Sequence, residues 1–331
     1  MIALLSKEKF DLSTDEVMDW LDHYNANFLR LNGEDFSKSD KTSTYTINDE
    51  CNTLTLMIDG TSVNLSEVSI IWFRRWIRYG EIREKISKLN LEKNLTIGLK
   101  DNLIKEIATF SISIFKYFDN KKWLDHPIHV GATGKKIELL KIAQSIGLKI
   151  PSTIISNNKK DIKAFFDTHQ RVITKPIAEV QYFIVEEKAY PIRTQEIYYS
   201  DIENAENLFL SLFQELIEKT YELRIFYLDG AFYSMAIFSQ NDQQTQVDFR
   251  NYNFEKTNRM VPYQLPTEIE DKLQLLFKEL QLTHGSVDII RNTKGEYIFL
   301  EVNPVGQFGM VSKPCNYHLE EKIAQYLMHN Q

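Results

Sequence analysis

The stretch that decides the fold reads SVDIIRNTKGEYIFLEVNP and spans residues 286–304. It contains two apolar runs on either side of a Lys-Gly dipeptide, which is the pattern of a β-hairpin. Glu301 and Asn303 are two residues apart, so their side chains should share one face of the second strand. A symmetric turn would place Asp288 opposite Glu301, with the two side chains about 5 Å apart. The stretch therefore predicts two carboxylates and an amide oxygen clustered on one hairpin.

Such a cluster suits Mg²⁺, which binds a few carboxylates and completes its octahedron with water and nucleotide phosphates. Without a cation, two acids that face each other would repel. The alternative is a hairpin whose polar side simply faces solvent. We favour a magnesium site because apolar residues surround the polar ones: Ile289, Ile290, Ile298, Phe299, Leu300 and Val302.

A second hairpin is predicted further upstream, where residues 223–228 and 231–238 flank an Asp-Gly turn. Glu222 and Arg224 are two residues apart and would share a face of its first strand. Arg224 could stabilise the charge of a phosphoryl group in transfer, and a salt bridge within the strand is the alternative. The polar segment 239–260 has the length and composition of a lid or binding loop.

Two lysines occupy places where a phosphate could bind. Lys175 ends an apolar strand over residues 171–174. Lys136 opens a helix that Gly147 ends, and a cation at that position opposes the helix dipole unless an anion binds nearby. The alternatives are a solvated strand end for Lys175 and a polar loop for Lys136. The residues alone leave both roles open.

The N-terminal third has the order strand, helix, strand, which is typical of an open α/β domain. An apolar run at residues 2–5 precedes a helical pattern that begins near Ser13, and residues 27–31 form the next strand. Residues 72–78, WFRRWIR, interleave aromatic and arginine side chains. This pattern could stack nucleobases. We favour an amphipathic element whose arginines extend their charged ends to solvent.

The overall composition limits the function. The chain of 331 residues is too long for a single core, so two or three domains are expected. A net charge of −7 argues against a nucleic-acid-binding protein. No apolar run approaches the roughly 18 residues of a membrane span. The two cysteines form no disulfide framework, so we expect a cytoplasmic protein. The sequence contains no GxSxG, GxGxxG or P-loop motif, which disfavours serine hydrolases and Walker-type ATPases.

The order of these motifs resembles that of the ATP-grasp ligases. The motifs are Lys136, Lys175, Gln214-Glu215, Glu222-x-Arg224, Asp288 and Glu301-Val302-Asn303-Pro304. Within that group the chain resembles the graspetide synthetases, which make the ω-ester or ω-amide bonds of peptides such as the microviridins. The stretches that look like the grasp-with-spasm branch are residues 71–75, 237–240, 248–250 and 306–308.

This resemblance covers nearly the whole chain and implies an α/β (α+β) ATP-grasp fold. An open α/β pre-ATP-grasp domain would occupy residues 1–120. Two α+β subdomains, at residues 121–212 and 213–331, would then sandwich ATP. The second of them would carry the magnesium site.

The resemblance also implies roles for individual residues. Lys136 and Lys175 would hold the ATP phosphates. A hinge would meet adenine through Gln214, Glu215, Leu216 and Ile217, and Glu218 is a candidate for the ribose. Two magnesium ions would be bound by Asp288, Glu301 and Asn303. Arg224 would lie near the γ-phosphate and the acyl group, and Arg250 would bind an acidic side chain of the substrate.

The implied activity is the ATP-dependent macrocyclisation of a ribosomally made precursor peptide. An Asp or Glu side chain would be activated as an acyl phosphate and joined to a Ser or Thr hydroxyl or to a Lys amine. The leader segment of the precursor would dock on the central domain or beside residues 239–260, and relatives imply a homodimer. One alternative is an ATP-grasp ligase that acts on free amino acids or a protein terminus. The other is an inactive nucleotide-binding adaptor, which the intact set of magnesium ligands disfavours.

Overall fold

The computed structural model describes residues 1–9, 11–37, 41–58, 60–88, 97–133, 135–178, 182–185, 188–192, 194–251, 253 and 255–331. The chain divides into two compact units. Unit 1 comprises Met1–Pro127 together with His318–Gln331, and unit 2 comprises Ile128–Tyr317. None of the helices in the described ranges combines the length and the hydropathy of a membrane-spanning segment.

The elements of the first 133 residues are, in chain order, β1 Ile2–Ser6, α1 Leu12–His23, β2 Phe28–Asn32, β3 Ser43–Ile47, β4 Asn52–Ile58, β5 Thr61–Asn64, β6 Ile70–Phe73, α2 Tyr79–Lys88, α3 Ile97–Tyr117, β7 Lys122–Leu124 and α4 Pro127–Thr133. Two short 3-10 turns lie at Asp35–Ser37 and Leu65–Glu67.

The elements that follow are α5 Lys136–Ser145, β8 Thr153–Ser156, α6 Lys159–His169, β9 Val172–Lys175, β10 Tyr182–Val185, β11 Lys188–Pro191, β12 Gln195–Ile197, α7 Tyr199–Asn204, β13 Ser211–Glu215, β14 Lys219–Leu228, β15 Ala231–Phe238, β16 Arg259–Tyr263, α8 Thr267–Glu279, β17 His284–Asn292, β18 Tyr297–Asn303, α9 Gly309–Cys315 and α10 Leu319–His329.

Unit 1 is built on a parallel sheet with the strand order β2-β1-β6-β7. Every residue of β1 is buried, as expected for a central strand of a parallel sheet. Its side chains pack with Ile114 and Phe118 of the α3 region in one apolar core, which also receives Leu54 from the antiparallel sheet β3-β4-β5. The C-terminal helix α10 packs on α1, where the Tyr24 hydroxyl donates to Glu321 at 2.5 Å.

Unit 2 contains two antiparallel sheets, of strand order β12-β9-β13-β8 and β16-β15-β14-β17-β18, and a separate hairpin of β10 and β11. The larger sheet packs on α5 and α8 through a core that includes Leu140, Ile225 and Leu273. Phe277 of α8 stacks on Tyr227 of β14, with ring centroids 4.0 Å apart. This packing makes the larger sheet a rigid support for the polar residues on its other face.

Both predicted hairpins are confirmed, and Asp288 lies opposite Glu301. The reasoning from a symmetric turn is nevertheless incomplete. Near the turn, the strand pairing is shifted by one residue from that of a symmetric turn, as in the pair of Ile290 with Ile298. A β-bulge after Asp288 then restores the pairing that a symmetric turn predicts. A bulge adds one residue to one strand and turns the following side chains to the other face. The cluster therefore depends on this bulge.

The interpretation of residues 72–78 as an element with solvated arginines is wrong for Arg74, whose side chain is completely buried. The backbone after β6 crosses the end of β1, and the N–H groups of Arg74 and Arg75 both donate to the Leu5 carbonyl, at 2.9 and 3.1 Å. This anchoring holds Arg74 inside unit 1. The division of the chain into residues 1–120, 121–212 and 213–331 stays a prediction.

Candidate functional site

Unit 2 contains a cleft that collects most of the residues singled out in the sequence. It is lined by Ile173 and Lys175 of the smaller sheet and by Asp288 and Glu301 of the larger sheet. Two further segments line it. One is the connection 215–217 between the two sheets, and the other, 246–250, belongs to the polar segment that follows β15.

Asp288 is held by an arginine from the neighbouring strand. Arg224 of β14 lies directly opposite Asp288 of β17, and its Nη1 donates hydrogen bonds of 2.8 Å to both carboxylate oxygens. Both side chains are almost completely buried. Burial raises the pKa of Asp288, Arg224 opposes that rise, and Glu301 adds to it. The contact seen for Arg224 is to Asp288, and its role beside a γ-phosphate stays a prediction.

Glu301 has cationic surroundings. Arg250 Nη1 lies 3.5 Å from Glu301 Oε1. Burial alone would raise the pKa of Glu301, but Arg250, Lys175 and Lys136 outweigh it, so that this pKa is lowered. The two opposed carboxyl groups thus have pKa values shifted in opposite directions. Glu301 is the one whose ionised form is stabilised by its surroundings.

The carboxylates of Asp288 and Glu301 in this cleft, together with Asn303 two residues along β18 from Glu301, fit a magnesium ion in their chemistry. Each carboxylate oxygen has two lone-pair sites, so Asp288 can bind Arg224 and still offer oxygen to a metal. The Asn303 side-chain oxygen accepts a hydrogen bond of 3.3 Å from the Gly306 N–H, which orients it. Within the described ranges, no group of three or more His, Cys, Asp or Glu residues could hold a metal ion. A magnesium site would therefore need Asn303 or oxygens from outside the protein.

The two lysines expected to bind phosphate lie where the sequence predicts them, at the end of β9 and at the start of α5. Lys136 Nζ donates to the carbonyls of Pro176 and Ala178, at 2.7 and 2.9 Å. Partial burial lowers the pKa of Lys175, Glu301 opposes this effect, and the nearby charge of Lys136 reinforces it. An incoming anion would relieve this clustering of positive charge.

The hinge segment presents backbone groups to the cleft. The Glu215 N–H donates to the Ser152 carbonyl at 3.1 Å, but the Ser152 N–H donates to the Glu215 side chain at 2.8 Å. The main-chain carbonyl of Glu215 therefore lacks the usual return bond from Ser152. Within the part of the chain that the structure describes, the Ile217 N–H also has no acceptor. An adenine ring needs one acceptor and one donor of this kind.

The other two hinge residues pack into unit 2. Gln214 is buried and its Nε2 donates to Thr153 Oγ1 at 2.9 Å, while the Leu216 N–H donates to the Arg171 carbonyl at the same distance. Glu218 is exposed and lies 3.8 Å from Arg171 Nη1. Its contact to a ribose stays a prediction.

Arg250 lines the cleft and keeps nearly half of its side-chain surface exposed. Its Nε and Nη2 donate to the two oxygens of Asp248, each at 2.9 Å. This bidentate pair fixes the guanidinium plane. The exposed part of Arg250 remains available to a carboxylate from outside the protein.

The sequence reasoning missed a buried pair at the base of this cleft. Lys219 hydrogen-bonds Glu222, and Ser239 Oγ donates to the same carboxylate at 2.8 Å. Burial raises the pKa of Glu222, and Lys219 opposes that rise. Strand alternation places residues 219 and 222 on opposite faces. A register shift between Lys219 and Tyr221 brings them together, and nothing in the sequence announces that bulge.

Known protein families and structures resemble this chain over its whole length. The family model described as the RimK-like ATP-grasp domain matches residues 133–327, and the one described as the MvdD pre-ATP grasp domain matches residues 1–131. A RiPP-associated ATP-grasp ligase from Chryseobacterium gregarium, in complex with ADP and a leader and core peptide, is 24% identical. The match covers 100% of this chain and 97% of that one, with a TM-score of 0.86.

Two further solved structures have the same fold. The macrocyclase MdnC from Microcystis aeruginosa, bound with precursor peptide MdnA, is 24% identical over 99% of this chain and 100% of its own, with a TM-score of 0.81. The ATP-grasp ligase PsnB, complexed with minimal precursor, Mg and ADP, is 15% identical over 99% and 96%, with a TM-score of 0.76. No protein with a curated description matches the sequence. The ATP-grasp fold and the resemblance stated from the sequence are confirmed.

Proposed function

The chain belongs to the RimK-like ATP-grasp family, and from this we propose that it is an ATP- and Mg²⁺-dependent ligase that forms rings in a ribosomally made precursor peptide. It activates the side-chain carboxylate of an Asp or Glu as an acyl phosphate and joins it to a Ser or Thr hydroxyl, as an ester, or to a Lys amine, as an amide. The observation that carries this proposal is the pair of opposed carboxylates, Asp288 and Glu301, in a cleft that also contains Lys175.

The peptide substrate is supported by the solved relatives. Each of the three described above is a complex with a leader and core peptide or a precursor peptide. Their likeness extends through residues 1–131, which match the MvdD pre-ATP grasp model rather than a generic N-terminal domain. A ligase for free amino acids would need no leader-binding surface. Macrocyclisation of a leader-bearing peptide is therefore the function that best accounts for the whole chain.

We assign the nucleotide to the cleft of unit 2. The main-chain carbonyl of Glu215, to which no described N–H outside the strand ladders donates, accepts from the adenine amino group. The Ile217 N–H donates to a ring nitrogen, while Gln214 and Leu216 shape the hinge. Lys175 and Lys136 bind the phosphates, whose charge relieves the repulsion between these lysines. Glu218 is the candidate for the ribose.

We assign Asp288, Glu301 and Asn303 as the ligands of two magnesium ions. When bound, magnesium neutralises charge that develops on the phosphates. Arg224 favours the ionised form of Asp288 and orients its carboxylate, and the paired strands β14 and β17 hold both side chains. Arg250 binds the acidic side chain of the peptide through the part of its guanidinium that Asp248 leaves open.

The proposed reaction has two steps. A carboxylate oxygen of the peptide attacks the γ-phosphorus of ATP, and the bond from that phosphorus to ADP breaks. A hydroxyl or amine of the same peptide then attacks the acyl carbon, loses its proton and releases phosphate. The peptide loses one water for each ring. Because both groups belong to one bound chain, positioning supplies much of the acceleration, and a docked leader raises the local concentration of the core.

Three features of the setting belong to the same proposal. A reaction that consumes ATP and a ribosomally made peptide takes place in the cytoplasm. Two copies of the chain associate as a homodimer. The leader docks on the central domain proposed for residues 121–212 or beside residues 239–260.

Mass spectrometry tests the function directly. A leader-bearing peptide rich in Thr and Glu, encoded beside the gene for this protein, is incubated with the protein, ATP and magnesium. We expect ADP and a loss of one water for each ring, and Glu301→Gln abolishes both. The matched control is Glu296→Gln, an identical substitution near the turn of the same hairpin, where Glu296 pairs with Lys149 outside the cleft. ADP formed only with free amino acids would support the alternative ligase, and binding without turnover would support the adaptor.

A further inference from the structure

In the parallel sheet of unit 1, the chain connections diverge at the carboxyl ends of the two central strands, β1 and β6. The chain leaves β1 through α1 toward β2, and it leaves β6 through α2 and α3 toward β7 on the other side. Connections that diverge in this way leave an opening between the two strand ends, which is where open α/β sheets bind ligands. The proposed reaction assigns nothing to this edge of unit 1.

A buried charge cluster lies at that edge. Asp11, just before α1, accepts hydrogen bonds through Oδ2 from Ser6 Oγ at 2.5 Å and from Thr14 Oγ1 at 2.7 Å. Its Oδ1 has no hydrogen bond to any described residue and lies 3.6 Å from Arg74 Nε and 3.8 Å from Arg75 Nε. The carboxylate of Asp11 is thus fixed on one side by hydroxyls and faces two guanidinium groups on the other.

The two arginines differ in what they offer to a ligand. Arg74 is completely buried, and its Nη2 donates to Ser13 Oγ at 3.0 Å. Arg75 keeps 35% of its side-chain surface exposed. Its buried Nε has no hydrogen-bond acceptor within the described ranges. Arg74 is therefore a structural member of the cluster, and Arg75 is the member that can reach a ligand.

The charge of the cluster does not balance. Among the described residues, the guanidinium groups of Arg74 and Arg75 share the carboxylate of Asp11, so these three groups together carry one positive charge. Burial lowers the pKa of Arg74 to about 10, Asp11 opposes this effect, and the like charge of Arg75 adds to it. Arg74 stays charged at neutral pH, so an anion at Arg75 would relieve the repulsion between the two arginines.

We propose that Arg75, held in place by the buried cluster of Ser6, Asp11 and Arg74, binds a carboxylate in unit 1 that is supplied by an Asp or Glu side chain of a peptide. One excess charge matches a single carboxylate, and the planar fork of an arginine matches its two oxygens. The two charges of a phosphate dianion would exceed the single positive charge of the cluster. The identification of the peptide as the precursor rests on the proposed function. The site then holds an acidic residue that remains on unit 1 during the reaction.

Chemical protection of the arginines tests the site without any turnover. The full-length protein is treated with phenylglyoxal in the presence of a capped tripeptide with a central glutamate, its glutamine counterpart or inorganic phosphate. Mass spectrometry then follows Arg75 and, as an internal control, the exposed Arg78. We expect the glutamate peptide alone to slow modification of Arg75, about twofold when its concentration equals the dissociation constant. Equal rates with glutamate and glutamine peptides would overturn the proposal, and equal protection by phosphate would overturn its assignment to a carboxylate.

Variants connect the site to the peptide substrate. Arg75→Gln should raise KM for the precursor about tenfold to a hundredfold, as for the loss of a charged hydrogen bond, without changing KM for ATP. The KM of Arg75→Lys for the precursor should lie between those of the wild type and Arg75→Gln, because an ammonium group keeps the charge but cannot form the bidentate contact. Arg78→Gln, the matched control, should behave as wild type. One Glu→Gln or Asp→Asn change in the precursor should raise KM strongly with the wild-type protein, because it removes the carboxylate that Arg75 binds. The same change should alter KM little with Arg75→Gln. Additive effects at every acidic position would overturn the assignment.

The two proposals fail in different ways. If the wild-type protein forms no ring in any precursor but the glutamate peptide protects Arg75, the proposed function fails and the carboxylate site stands. If rings form and protection is absent, the site fails and the function stands.

Discussion

Arg224→Met should destabilise the protein because it leaves the Asp288 carboxylate buried without its counter-ion. Both oxygens of Asp288 accept from Arg224 Nη1 at 2.8 Å, and both side chains are buried. Breaking a buried pair by removing one member typically costs about 3–5 kcal/mol. The cost also has a ceiling, because the carboxyl can take up a proton instead. From the ordinary pKa of 3.8, protonation at pH 7 costs about 4.4 kcal/mol.

We therefore expect the free energy of unfolding to fall by about 3 kcal/mol at pH 7, since Arg250 still stabilises the ionised Asp288 to some degree. The loss should shrink at lower pH. Burial raises the pKa of Asp288 in the wild type, and the loss of Arg224 raises it further. A group whose folded-state pKa is raised contributes its full stability below the unfolded value of about 3.8, and this contribution is lost as the pH rises through the folded-state pKa. Between pH 7 and pH 5 the variant should recover up to about 1.4 kcal/mol per pH unit relative to wild type.

The assay should report on unit 2. All four tryptophans, at positions 20, 72, 76 and 123, lie in unit 1. Hydrogen exchange of the amides in β14 and β17 measures the local effect. The matched control is Arg291→Met on β17, because Arg291 packs over the Tyr297 ring at 4.1 Å and its loss should cost less than about 1 kcal/mol.

A double variant separates the two roles considered for Arg224. If Arg224 serves to balance Asp288, then Asp288→Asn in the Arg224→Met background should restore most of the lost stability. The reasoning is refuted if Arg224→Met changes the protection of β14 and β17 no more than Arg291→Met does. It is also refuted if the double variant is less stable than Arg224→Met alone.

Three further predictions concern other parts of the chain. Gly306→Ala should lower the free energy of unfolding by about 1–2 kcal/mol, measured by thermal unfolding. Gly306 has a φ of +59°, and an added Cβ would lie 3.1 Å from Phe226. The control Gly309→Ala should leave the stability unchanged, because an added Cβ there has no atom within 4 Å. Burial raises the pKa of Cys315 to about 11, so iodoacetamide at pH 8 should alkylate the less buried Cys51 first, and equal rates would contradict the described packing. Lys175→Met should weaken ADP binding about tenfold or more in calorimetry, whereas Lys141→Met, on the exposed side of α5, should leave it unchanged.

Much of the cleft could be predicted because local rules determine it. Lys136 and Lys175 are placed by the start of a helix and the end of a strand, which composition and periodicity reveal. The pairing of Asp288 with Glu301 was predicted as well, although the register depends on a bulge that a symmetric turn does not include. A shift of one residue would have moved one carboxylate to the other face.

What the sequence could not reveal depends on irregular backbone or on packing between distant segments. Lys219 and Glu222 meet only because β14 has a register shift between them. Arg74 is buried because the segment after β6 crosses the end of β1, where Asp11 is already held by Ser6 and Thr14. Periodicity treats an arginine beside tryptophans as a surface residue, and only the tertiary structure shows its buried counter-ion.

The most direct test of the central claim follows the oxygen atoms of the peptide carboxylate. A precursor whose acidic side chains carry ¹⁸O in both carboxyl oxygens is incubated with the protein, ATP and magnesium, and the released phosphate is analysed by mass spectrometry. If the carboxylate attacks the γ-phosphorus, each ring formed should yield one phosphate with one ¹⁸O. Rings formed with phosphate free of ¹⁸O would contradict the acyl phosphate and with it the mechanism proposed for this cleft.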